Sequence, residues 1–102
     1  MNQVDWVGQQ PAKQRARIEI PNQRAAIAER KAVLLLQIRR ACGIVPARVA
    51  SGSIDTVRGW KVQIDAAMRT AEARRSSVPD LEGALSRVCA YLSPSEAAKV
   101  FA

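Results

Sequence analysis

The chain's reactive inventory is two cysteines, nine carboxylates, sixteen lysines and arginines, and no histidine, within 102 residues. The missing histidine removes the commonest general base and the commonest metal ligand. Cys42 and Cys89 stand alone, with no CxxC spacing, so they do not read as a zinc site. They read instead as small, reduced core residues, and a functional thiol is the minor alternative because no basic group is arranged around either in sequence. The carboxylates form no catalytic pair. Asp65 and Glu72 read as surface residues, while Asp80 and Glu82 sit where a helix's first turn favours acids. The chain contains no GxxxxGK[ST] and no GxGxxG, and Ser51-Gly52-Ser53 lacks the preceding strand that a phosphate-cradling loop needs. The expectation is a non-enzyme with no catalytic, cofactor-binding or metal-ligating residues, no cofactor and no small-molecule substrate.

What the side chains can do is bind. The net charge is +7 and the charges are unevenly spread. Nine basic residues lie between Lys13 and Arg48, opposed there by Glu19 and Glu29 alone, whereas the chain from Ala50 onward is close to neutral. A basic arm leading into a basic helix suits phosphate contacts, which gain free energy by releasing counterions. Lys13, Arg15, Arg17, Arg24, Arg30 and Lys31 are the candidates for such contacts. Two observations weaken that reading. On a helical wheel Arg24, Arg30, Arg39 and Arg40 point in several directions, and Trp6, Trp60, Tyr91 and Phe101 are too scattered to form a base-stacking platform.

A helix-turn-helix fails in both registers. With Gly43 as the turn glycine, Arg39 occupies a position that wants a small residue and Gly52 cuts the recognition helix short. With Gly52 as the turn, Arg58 and Lys61 fall at buried positions. The segment from Leu92 to Lys99 resembles the opening of such a motif, but no second helix follows it in the chain.

The elements that position these residues are helical. Asn22 can cap a helix after Pro21, and residues 23–42 are rich in good helix formers. Gly43 is expected to supply a left-handed stop, with Pro46 blocking continuation. A short turn over 46–51 ends at Gly52, and a second long helix then runs from Ser53 or Asp55 to about Arg75. Its stripe is Val57, Trp60, Ile64, Ala67, Met68 and Ala71. Asp65 and Arg69 form an i,i+4 pair on its exposed side. After a break at Ser76–Pro79, a third helix spans about Asp80 to Tyr91, with Leu81, Leu85, Val88 and Leu92 on one seam. Ser93-Pro94-Ser95-Glu96 is a capping box that opens a last helix over about 94–101. The fold class is all-α: a single small domain of three main helices plus two short ones over 22–102, with a basic N-terminal arm over 1–21.

The apolar supply is thin for that fold. Of the apolar residues eighteen are alanine, and only 24 are Leu, Ile, Val or Phe. The first long helix nevertheless spends large residues on two sides. Ile27, Leu34, Leu35, Ile38 and Ala41 share one, while Val33 and Leu36 fall opposite, next to Arg40. A small domain with so little material has trouble covering both sides. The sequence therefore points to a helical interaction protein (an adaptor, an inhibitor or a structural subunit) docking on a protein partner or a second copy through Trp6, Val33, Leu36 and Arg40. The alternative is a small nucleic-acid-binding regulator using the six phosphate candidates. No apolar run approaches the ~20 residues that span a bilayer, and the first twenty residues do not read as a signal peptide. The expectation is a soluble cytosolic chain that does not engage membranes, in the style of a small phage or plasmid product.

Overall fold

The computed structural model describes residues 23–102, so the arm, Trp6, Lys13, Arg15, Arg17 and the Asn22 cap lie outside the described residues. Helix α1 covers residues 23–42. It is followed by α2 (Ala47–Ala50), α3 (Ile54–Glu72), α4 (Val78–Cys89) and α5 (Pro94–Phe101). No strand occurs among the described residues, and no helix there is long and apolar enough to cross a membrane. The described residues form a small all-α domain.

Local chemistry accounts for the boundaries. Ser53 caps α3 by accepting from the Thr56 N–H, and Ser76 Oγ closes the other end on the Thr70 carbonyl at 2.6 Å. Two reciprocal capping boxes follow. The Ser77 hydroxyl accepts from the Asp80 N–H while Asp80 accepts from the Ser77 N–H, and Ser93 and Glu96 repeat the pattern at the start of α5. Two expectations are corrected here. The break before α4 spans 73–77, so Ser76 and Ser77 lie in it as expected but Val78 and Pro79 open α4, because a proline in a first helical turn removes an N–H that had no partner anyway. Gly43 does not adopt a left-handed conformation; no described glycine has positive φ. Its N–H donates to the Arg39 and Arg40 carbonyls at 3.1 and 3.2 Å, so α1 closes without a left-handed residue ahead of Pro46, which has no N–H to continue it.

Gly52 is required by space. A Cβ there would stand 2.7 Å from the Arg48 carbonyl oxygen and 3.2 Å from Thr56 Cβ, which only hydrogen can fit between α2 and α3.

The core joins α1, α3, α4 and α5. Leu34, Ile38 and Ala41 of α1 meet Leu81, Ala84, Leu85 and Val88 of α4, with Ala67 from α3 and Val100 from α5. Helices α1 and α4 run in the same direction: Lys31 lies close enough to Asp80 to act on its charge, and Cys42 is similarly near Cys89 at the other end. The α3 stripe is only partly internal. Ala67 is buried, but Val57, Trp60, Ile64 and Met68 are half-buried, as is Leu92. Small Ala67 at the centre of the contact lets α3 approach closely, and the larger residues on either side then flank the seam. Trp60 keeps its indole Nε1 buried without a hydrogen-bond partner.

Candidate partner-binding face

The two sides of α1 are set by helical phase. At about 100° per residue, Leu34, Ile38 and Ala41 point into the core and are almost fully buried. Val33 and Leu36 point away, 42% and 49% exposed, and Arg40 lies between them in phase and is also exposed. Three of the four expected interface residues thus share one outer face, and the fourth, Trp6, lies outside the described residues. Ile27 has the phase of the core side yet is half exposed. Residues 23–30 are exposed throughout because α4 begins level with Lys31. The first two turns of α1 therefore carry core-phase residues past the end of their helical neighbour.

Arg40 has a second role. Its Nη1 donates to the Ala102 carbonyl at 3.0 Å and the Val100 carbonyl at 3.4 Å, placing a cation where the end of α5 leaves carbonyls unsatisfied. Arg48 does the same for α4: it donates to the Ala90 carbonyl at 3.4 Å and lies over the Tyr91 ring at 5.8 Å. Two members of the basic run thus serve helix C-termini. The phosphate candidates among the described residues are spread out. Arg24 and Arg30 are exposed on α1, and Lys31 is half-buried. They do not converge on one stripe.

The outer face ends against α5. Phe101, 55% exposed, closes one side of an open groove of about 420 Å³ between α1 and α4 whose rim includes Arg30, Gln37, Glu82 and Ser86. The sequence placed Phe101 among the scattered aromatics and gave no direction for it, because a residue at the end of a short helix has no periodic partner.

The carboxylates and thiols are structural in their contacts. Backbone and side-chain hydrogen bonds from Ser77 hold the Asp80 carboxyl below its ordinary value, with Lys31 adding to the effect. Glu96 is lowered by backbone N–H groups of Ser93 and Ala47, so one carboxylate caps α5 and also ties α2 to it, at 2.8 and 3.0 Å. Both cysteines are free and half-buried; burial pushes their thiols up, and the neighbouring Cys89 pushes Cys42 further. A raised thiol is a poor nucleophile at neutral pH. Among the described residues no group of three His, Cys, Asp or Glu side chains is placed to hold a metal ion.

Comparison with protein-family profiles, curated proteins and solved structures finds no match.

Proposed function

We propose that this protein is a non-catalytic helical interaction module, an adaptor, inhibitor or structural subunit, that docks on a protein partner through the outer face of α1. One observation carries the reading. Val33 and Leu36 are about half exposed on a helix whose opposite side is the core, in a chain with few large apolar residues to spare. Burying a valine or leucine contributes roughly 1.5–3 kcal/mol, and scattered single apolar residues on a surface need no explanation. Here the two are adjacent on one face, and Arg40, fixed by α5, stands beside them. The two neighbouring free thiols, both half-buried, suit a reducing compartment such as the cytosol.

The test is site-specific photo-cross-linking in cells, with the reactive residue at Val33 or Leu36 and, as a control, at exposed Asp55 or Lys61 on α3. The reading expects a discrete protein adduct from α1 and none from α3. Equal labelling from both helices, or no adduct from α1, would contradict it.

The net charge supports a second reading, a nucleic-acid-binding regulator gripping phosphates with Lys13, Arg15, Arg17, Arg24, Arg30 and Lys31. It is weaker because the candidates among the described residues, Arg24, Arg30 and Lys31, do not share one stripe of α1.

A further inference from the structure

From the order of residues along the outer face of α1, we infer that the partner is a second copy of this chain, paired antiparallel through α1. This rests on the proposed reading of Val33 and Leu36 as an interface and adds who occupies it. The face is longer than those two residues. Ala26, Glu29, Val33, Leu36, Arg40 and Gly43 follow one another at alternating steps of three and four, the spacing of a coiled-coil seam. All six are exposed, and the seam occupies the side of α1 turned away from Leu34, Ile38 and Ala41.

The seam is self-complementary when reversed. In a two-fold antiparallel pair centred between Val33 and Leu36, each Val33 meets Leu36 of the second copy. Glu29 meets its Arg40, and Ala26 meets its Gly43. Apolar faces apolar, acid faces base, and the small residues fall at the ends, where they let the helices approach. The same pairing occurs twice by symmetry, as an isologous contact requires. A parallel pair of the same helices would set Glu29 against Glu29 and Arg40 against Arg40, and like charges in register oppose it. An unrelated partner gives no reason for the palindromic order.

Two features of the fold support the pairing. α1 is already held helical by its inner side, so association does not have to bear the cost of forming a short isolated helix. Arg40 uses Nη1 for the α5 carbonyls, and a guanidinium has five N–H donors in a fixed fork, so one residue can hold α5 and also face a carboxylate. The contact is small and belongs with weak, transient interfaces, so the pair dissociates on dilution.

The experiment combines sedimentation equilibrium, up to millimolar chain, with zero-length carbodiimide cross-linking of an Arg40→Lys variant. Within one chain residues 29 and 40 are separated by eleven helical steps, roughly 16 Å, so a direct amide between Glu29 and the introduced lysine can only form between two copies in this register. The inference expects a concentration-dependent dimer and that cross-linked peptide pair. It also expects dimerisation to weaken roughly tenfold in Glu29→Arg, which sets arginine against Arg40 twice. Glu29 is exposed, so this variant keeps its helicity. A chain that stays monomeric at every concentration overturns the second-copy inference, while an α1 photo-adduct with a different protein would leave the docking reading standing. A dimer that lacks the 29–40 link and is indifferent to Glu29→Arg overturns the antiparallel register.

Discussion

On α1, Leu34 and Ile38 are 1% and 0% exposed, whereas their neighbours Val33 and Leu36 are about half exposed. The four residues are chemically close, and they share one helix. Only their phase relative to α4 separates them. The inner pair belongs to a core that α4 and α5 complete, and the outer pair lies outside that core. The difference teaches that burial in this fold follows the geometry of neighbouring helices, and that apolar residues left over after that geometry is satisfied are available for a partner.

The comparison can be broken most forcefully from the inside. Leu34→Ala or Val88→Ala should cost roughly 2–5 kcal/mol in chemical denaturation, as cavity-forming changes do in a packed core. A loss below about 1 kcal/mol would mean that the inner side is not the core it looks like. Gly52→Ala comes next. Its new Cβ would meet the Arg48 carbonyl, and the strain should destabilise the domain by roughly 1–3 kcal/mol without touching α1.

Acid should affect the inner assembly and leave the outer face's apolar pair indifferent. The folded state holds Asp80 and Glu96 below their ordinary values of 3.8 and 4.5. Their contribution is therefore complete above those values and is lost as pH falls through the lower, folded ones. Thermal unfolding followed across that acid range should show a falling midpoint, and the fall should be shallower in an Asp80→Asn, Glu96→Gln variant. An equally steep fall in the variant would place the acid sensitivity elsewhere.

The smallest expected effect concerns nucleic acid. Duplex binding through Z phosphates gives a log–log salt slope of about −0.9Z. Under the protein-docking account, retardation of duplex DNA should be weak and vanish near physiological salt. Persistent binding, with a slope that flattens by about two when Arg24 and Arg30 become alanine, would favour the phosphate reading instead.

Much of this architecture was legible because its determinants are local. Ser93-Pro94-Ser95-Glu96 places the last helix without reference to the rest of the chain, and the wheel separates Val33 and Leu36 from Leu34 and Ile38 before any packing is known. Reading Val78 and Pro79 as a break failed because a proline that ends one helix can also open the next, and only the Ser77–Asp80 box decides which. The half-burial of Trp60, Ile64 and Met68 was not readable, since it depends on how closely α3 approaches α4. Nor were the helix-end roles of Arg40 and Arg48. Their acceptors lie 42 to 62 positions away, and no spacing rule reaches that far.

The most direct test of two faces with two roles is a paired measurement on Val33→Glu/Leu36→Glu and on Leu34→Ala: unfolding free energy at low chain concentration, together with association by sedimentation or cross-linking. The account predicts that the outer double change shifts stability by no more than about 0.5 kcal/mol and abolishes association, while Leu34→Ala loses stability by roughly 2–5 kcal/mol. A double variant that unfolds as readily as Leu34→Ala, or that associates as the unaltered chain does, would contradict it.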